Sequence, residues 1–514
     1  MSAEEKLNEP FGDYAAIVGE WAREHPDAPA LSDDSGSISW AEMDGQINRI
    51  AAALQRDGLQ PGQAVAILGT TGIAYALVYL SAIRAGGCAA PLTTSATPAQ
   101  LAAMVADSGA QHLFIDKAKA AELAAHPMPP HTRVMLDGAD GDAPAMADWM
   151  APAGSMPTHR TPAEGDPFNI IYSSGTTGTP KGIVHSHVMR WRQSAGGFKA
   201  IYSGDSRAIL STPLYSNTTL AVFLPTMVWG GHARLMGKFD AGRWLALAQD
   251  MRATHTMLVP VQYQRLLRHE EFDNHDLSSM ELKFCTSAPF SAELKAEAVR
   301  RFPGGLIEIY GMTEGGVVCM LFAHKFPDKL HTVGQPVAGH ELMVLGEDDQ
   351  PLPAGEKGVL CGRSPTMMSG YRNQPEKTRE MEWRDADGNL WLKTGDIGIV
   401  DADGFVAIVG RAKDMIISGG FNIYPADLED ALIAEEGVAE AAVVGVESDQ
   451  WGETPVGFIV AKPGVAVDAD AVLASVNSKL GKTQRLSALH LIDEMPRSHI
   501  GKLLKTELRE RLAA

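Results

Sequence analysis

From Tyr172 to Gly182 the chain reads Tyr-Ser-Ser-Gly-Thr-Thr-Gly-Thr-Pro-Lys-Gly. Two serines, three threonines, three glycines and one lysine fill nine of the last ten positions. Glycine lets backbone N–H groups converge on an anion. The hydroxyls add short donors, and Lys181 adds positive charge. A triphosphate is the ligand that suits such a loop best, held by Ser173, Ser174, Gly175, Thr176, Thr177, Gly178 and Lys181. The loop is not a Walker A motif, which needs Gly-Lys-Ser/Thr opening a helix. Here Pro180 precedes Lys181, and Gly182-Ile-Val-His-Ser186 reads as strand or loop. The same composition also suits an ordinary surface turn.

Four more polar clusters lie downstream. Tyr310-Gly-Met-Thr-Glu314 follows the apolar run Leu306–Ile309. Tyr310 suits stacking on a purine, Gly311 admits a flat ligand, Thr313 suits a phosphate or carboxylate, and Glu314 suits Mg²⁺, which takes oxygen ligands. A strand-to-helix turn with a capping Thr is the plainer reading. Trp391-Leu-Lys-Thr-Gly-Asp396 reads as a strand ending in an exposed carboxylate, fit for ribose hydroxyls or simply an Asp in a turn. Arg411 and Lys413 open the stretch Gly410–Pro425, where Gly419 and Gly420 allow close backbone approach; an interdomain linker is the plainer reading. Lys502, in Pro496-Arg-Ser-His-Ile-Gly-Lys502, precedes an amphipathic terminal helix and by itself reads as a solvated helix-start lysine.

The elements that must carry these residues alternate. Ala64–Leu68, Cys88–Leu92 and His112–Asp116 read as strands. Between them come helices over 74–84 and over 98–108, the second with Thr97 as N-cap and Pro98 at the first helical position. Ser39 and Glu42 form a capping box. Residues 124–165 read as a surface loop. Strand–helix alternation resumes over 207–320, short strands rich in Gly and Pro follow over 333–410, and about 100 residues of α+β character close the chain. The expected fold is α/β: a large N-terminal domain (1–410) of parallel-rich sheets packed with helices, with a small β subdomain at about 333–410. A small mobile α+β domain (411–514) follows.

Of 514 residues, 45% are hydrophobic and 21% charged, and 44 Lys+Arg against 63 Asp+Glu give a net charge of −19. That balance argues against a nucleic-acid or anionic-membrane partner. Cys88, Cys285, Cys319 and Cys361 are scattered, which fits a reducing cytoplasm rather than a disulfide framework. No signal peptide and no transmembrane helix are expected.

Taken together, the clusters resemble the adenylate-forming superfamily of acyl- and aryl-CoA synthetases, peptide-synthetase adenylation domains and firefly-type luciferases. Tyr172–Gly182 is similar to its phosphate loop, Tyr310–Glu314 to its Tyr-Gly-x-Thr-Glu motif and Thr394–Asp396 to its ribose motif. Gly410–Asp414 is similar to its hinge, and Pro496–Lys502 to the segment carrying its catalytic lysine. Gly334-Gln-Pro336, Gly370-Tyr371 and Trp451-Gly-Glu453 also fit. The resemblance implies an AMP-forming acid:CoA ligase that uses ATP, Mg²⁺ and CoA, and it allows a homodimer. It places Lys502, Thr313 and Glu314 in catalysis, and Glu314 on the metal. ATP would meet the loop together with Ser287, Ala288, Pro289, Tyr310, Gly311, Met312, Thr313, Asp396, Arg411 and Lys502. Tyr215, Ser216 and Gly311 would line the acyl pocket, Gly419 and Gly420 would admit CoA, and Lys413 would be the hinge. A carrier-protein-loading enzyme and a non-catalytic nucleotide-binding regulator are the alternatives.

Two departures concern the acid. Thr212-Pro-Leu-Tyr-Ser216 carries Ser216 where relatives have His beside the acyl carboxylate. Cys285-Thr-Ser-Ala-Pro289 replaces the usual Ser-Gly-Gly/Ala-Ala-Pro. Both read as substrate tuning, with a lean towards an aryl acid. His185 and His187 read as packing or capping residues.

Overall fold

The computed structural model describes residues 2–173, 181–195, 201–418, 421–448, 451–480, 484–498 and 501–513. Two large sheets organise the first part of the chain. One has seven strands, in the order Gly370–Tyr371, Lys181–Ser186, Pro167–Ser173, Cys88–Pro91, Ala64–Leu68, His112–Ile115, Thr132–Met135. Its strands run parallel from Thr132–Met135 to Pro167–Ser173, then antiparallel through the last two. The other has nine strands, parallel from Pro29–Asp33 through His232–Leu235, Arg207–Leu210, His255–Leu258 and Leu282–Cys285 to Gly305–Gly311, with antiparallel strands at both edges.

Between the sheets lie helices apolar on nearly every face. Ile73–Arg84 and Asn217–Val228 are buried along most of their length, as expected of helices without a polar stripe. They share one core with Trp40, Tyr79, Phe168 and Phe223. Local signals set the helix ends. Ser39 and Glu42 cap Trp40–Arg56 reciprocally, and Thr97 and Gln100 do the same for Pro98–Ser108.

A five-stranded sheet of Glu341–Leu345, Gly358–Arg363, Glu382–Arg384, Leu390–Val400 and Val406–Arg411 follows. Within 333–410, Gln335–Pro336 instead joins the nine-stranded sheet, and Gly370–Tyr371 the seven-stranded one. The expected loop over 124–165 is wrong in part. Thr132–Met135 is the seventh strand of its sheet and Met146–Trp149 is a helical turn. A four-residue strand beside a Pro-rich run carries too little alternation to be seen in sequence.

Residues 416–491 form a last five-stranded sheet covered by the helices Pro425–Ile433 and Ala469–Lys479, with its own apolar clusters around Leu428, Val443 and Phe458. Lys357 reaches over to it, its Nζ 4.2 Å from the Tyr424 ring centroid. Among the described residues no helix is long and apolar enough to cross a membrane.

Candidate active site

The strands Pro167–Ser173 and Lys181–Ser186 pair antiparallel, with Ser173 opposite Lys181. The segment between them is the expected phosphate loop. Its residues Ser174, Gly175, Thr176, Thr177 and Gly178 lie outside the described residues, as do Gly419 and Gly420. The base of the pair is anchored: Tyr172 donates its hydroxyl to Asp107 Oδ2 at 2.9 Å, and Asn373 Nδ2 donates to Asp107 Oδ1 at 3.1 Å.

Tyr310 ends a strand, but no helix follows. The chain turns at 312–315 and returns antiparallel as Val318–Phe322. Gly315 closes this turn with φ +79°, and a Cβ there would lie 1.9 Å from Thr366 O; only glycine fits. Thr313 O accepts from His185 Nε2 at 2.8 Å. Arg190, which can only donate, sits 2.8 Å from His185 Nδ1, so that nitrogen accepts and the proton is on Nε2. Arg190 also donates to Asn169 Oδ1 at 2.7 Å. His185 is fully buried, and burial, then Arg190, holds it well below the usual histidine range. It is a neutral prop under the Thr313 backbone.

Asp396 is neither exposed nor at a strand end. It lies inside the strand Leu390–Val400, is 6% exposed, and faces Arg411 across the antiparallel pair. Gly395, with φ +73°, reads in sequence as a turn but bends a continuous strand instead. Arg411 Nε lies 2.6 Å from Asp396 Oδ1, and Tyr310 donates its hydroxyl to Asp396 Oδ2 at 2.7 Å. Burial pushes Asp396 above the usual carboxylate range; Arg411, Tyr310, Lys502 and Lys413 pull it back. Burial, then Asp396, raises the Tyr310 phenol well above its ordinary value, so it remains a donor.

Lys502 stands against this cluster, its carbonyl accepting from Ser498 N at 2.8 Å. Its N–H donates to Ser498 Oγ at 3.2 Å. Gly501, with φ +75°, rests on the start of the helix Pro260–Leu267, where a Cβ would lie 3.2 Å from Val259 and Val261. Lys502 opens onto solvent along the cleft while protein crowds its other sides. That desolvation, then the charges of Arg411 and Lys413, lower its pKa; Asp396 and Asp414 oppose the shift. Lys413 lies in the single turn Ala412–Asp414 that follows the Arg411 strand.

On the acyl side, Tyr215 and Ser216 are buried. Ser216 is the N-cap of Asn217–Val228, accepting from Thr218 N at 3.2 Å, which gives this serine a local reason of its own. Thr218 Oγ1 lies 2.5 Å from Ser287 Oγ. Ser287 has φ +81°, a backbone that favours glycine. Ala288 is half-buried, Pro289 and Gly311 are exposed, and Met312, Thr313 and Glu314 are half-buried.

Glu314 accepts from the Tyr371 hydroxyl at 2.6 Å through Oε1. Among the described residues no three His, Cys, Asp or Glu side chains could hold a metal together. A cation here would meet one carboxylate, a donor set that suits Mg²⁺ shared with phosphate oxygens. No sequence motif marks Asp107, Asn169 or Arg190 for a role; for Tyr371 the Gly370-Tyr371 pair is the one visible signal.

Comparison with known proteins follows the same outline. A family model described as AMP-binding enzyme matches residues 18–372, and one described as AMP-binding enzyme C-terminal domain matches 427–502. A feruloyl-CoA synthase from Amycolatopsis sp is 33% identical over 507 residues, covering 96% of this chain and 99% of its own. 4-Coumarate–CoA ligase 5 of Oryza sativa subsp. japonica is 33% identical, covering 93% of this chain and 90% of its own. The crystal structure of ATP-bound MatB from Rhodopseudomonas palustris superposes with TM-score 0.87 at 29% identity, covering 99% of both chains.

Proposed function

This chain belongs to the AMP-binding enzyme family, and from that premise we propose that it is an AMP-forming carboxylic acid:CoA ligase acting on an aryl acid. The acid attacks the α-phosphorus of ATP, forming an acyl-adenylate and releasing pyrophosphate. The CoA thiolate then attacks the acyl carbon, the acyl–phosphate bond breaks, and AMP leaves.

The observation that carries this reading is the convergence of Tyr310, the paired Asp396 and Arg411, and Lys502 from three distant stretches into one cluster. Asp396 would accept from the ribose hydroxyls and Tyr310 would stack the adenine, while the Ser287–Pro289 turn borders both base and acid. Lys181 would face the leaving pyrophosphate. Lys502 would stand between the carboxylate and the α-phosphate, where two anions must meet. Thr313, braced from behind by His185, would hold a phosphate or carboxylate oxygen, and Glu314 would hold Mg²⁺. The metal, when bound, neutralises phosphate charge.

Withdrawal of Lys502 by rotation of 411–514 about Lys413 would let CoA approach past Gly419 and Gly420. The aryl preference is supported by the two relatives named for aromatic acids. Four buried free thiols support a reducing cytoplasm, and light scattering decides the homodimer that the family allows.

The test supplies ATP, Mg²⁺, CoA and a panel of benzoates, cinnamates and fatty acids, and identifies the nucleotide product. Acid-dependent AMP and pyrophosphate, highest with an aryl acid, is expected. Formation of ADP, or no acid-dependent pyrophosphate with any acid, overturns the ligase reading. A best rate with fatty acids overturns the aryl preference alone.

A further inference from the structure

Residues 368–373 form a narrow strap that the reaction above leaves without a role. The strap runs between the Lys181 strand and the Glu314 turn and bonds to both. Met368 N donates to Glu314 O at 2.8 Å, Ser369 N to Val184 O at 2.9 Å and Arg372 N to Gly182 O at 2.7 Å. Gly370 and Tyr371 pair antiparallel with Val184 and Ile183.

Side chains follow from that register. Lys181 and Ile183 are two apart on one strand and so share a face. Tyr371, opposite Ile183, is therefore a diagonal neighbour of Lys181, within reach of a long side chain. The Lys181 ammonium lies 5.4 Å from the centroid of the Tyr371 ring. At the far edge of the same ring, the hydroxyl donates to Glu314 Oε1 at 2.6 Å and also contacts Met381 Sδ. Tyr371 is 7% exposed, and its main-chain N–H is held by Thr378 Oγ1 at 2.9 Å. The ring is thus fixed on three sides, with a cation over its face and a carboxylate at its tip. Burial, then Glu314, raises the phenol above its ordinary value, so the hydroxyl stays a donor at neutral pH.

We propose that Tyr371 is a positioning residue that sets the spacing and orientation of Lys181 and Glu314. Its face holds the pyrophosphate-facing ammonium. Its hydroxyl fixes Glu314 through Oε1, so that the carboxylate would be held in place for the Mg²⁺ that accompanies ATP. This rests on the assignment of Lys181 and Glu314 in the proposed function. A single carboxylate with no second acidic partner is a mobile ligand. A hydrogen-bonded outer neighbour that removes this freedom is typically worth roughly 10–100-fold in metal affinity.

The test is isothermal titration of ATP into the full chain without acid or CoA, once with Mg²⁺ and once with EDTA. Tyr371→Phe keeps the ring under Lys181 and removes only the hydroxyl. It should weaken ATP binding roughly tenfold with Mg²⁺ and leave binding in EDTA near that of the wild type. Tyr371→Leu removes the ring too and should weaken binding in both buffers. Glu314→Gln should lose the same Mg²⁺-dependent component, and adding Tyr371→Phe to it should cost nothing more. This second pair decides the matter even if one Tyr371 variant melts early. Equal weakening in both buffers, no weakening at all, or additive losses in the double variant overturn the proposal, as does a wild type whose ATP affinity ignores Mg²⁺. A wild type that binds no ATP overturns the proposed function instead.

Discussion

Replacing Lys502 by alanine should separate the two half-reactions. The ammonium faces Asp396, Arg411 and Lys413 in a cleft that is partly desolvated. A unit charge about 4 Å from a developing anion contributes about 4 kcal/mol at the effective dielectric of such a site. Removal of one preorganised donor typically costs ~10²–10³ in rate. Arg411 and Lys413 remain as positive charge after the substitution, so the lower end applies, about a hundredfold. The assay is acid-dependent pyrophosphate release, set beside thioester formation from synthetic acyl-adenylate and CoA. The first should fall about a hundredfold, and the second should stay within roughly threefold, because it needs no bridge between two anions. The lowered pKa of Lys502 adds a sign. Raising the pH neutralises it sooner than a free lysine, so adenylation should fail on the alkaline side before thioester formation does. Lys502→Arg, which does not titrate there, should flatten that limb. Equal loss in both half-reactions, or an alkaline limb unchanged in the arginine variant, would refute the role given to Lys502.

Two further outcomes follow from described contacts. In Ser287→Gly the relief of a positive φ, about 1–2 kcal/mol, should roughly offset the lost Ser287–Thr218 hydrogen bond, about 0.5–1.5 kcal/mol. Calorimetric melting should therefore stay within a few degrees while the acid profile moves towards bulkier acids; a large loss of stability with an unchanged profile would show that Ser287 only braces the turn. Lys295 Nζ lies 2.5 Å from Glu308 Oε2, both side chains almost wholly buried, two residues before Tyr310. Lys295→Ala should cost about 3–5 kcal/mol by stranding a buried carboxylate, whereas Lys295→Met with Glu308→Leu should cost much less, as chemical denaturation would measure.

Much of this site is legible in sequence because each motif is local. Thr97, by its capping side chain, and Pro98, by its fixed φ, announce a helix start, and the structure agrees. The glycine–hydroxyl–lysine composition of 173–182 is local too, but its expected anion-binding role falls on residues 174–180, outside the described residues. What sequence hides is where an element ends and what faces it. Gly395 looks like punctuation, so Asp396 reads as an exposed turn carboxylate; its burial depends on Tyr310 and Arg411, which arrive from other strands. Ser216 reads in sequence only as a replacement for the histidine that relatives carry beside the acyl carboxylate, until its place at a helix start becomes visible. The His185–Arg190–Asn169 prop and the Tyr371 strap depend on cross-strand register, a long-range property that no window of residues reports.

The seat of Gly501 sets a scale for how the reaction changes phase. A glycine backbone resting on Val259 and Val261 buries the equivalent of one or two methylene groups, about 1 kcal/mol. If residues 411–514 rotate as proposed, that contact alone would tilt the equilibrium towards the placement seen here about fivefold. With the Lys357–Tyr424 contact beside it, the Gly501 seat is one contribution among several that such a rotation would have to release. Substituting Gly501 would therefore alter the time shared between the two half-reactions, even with every reacting group intact.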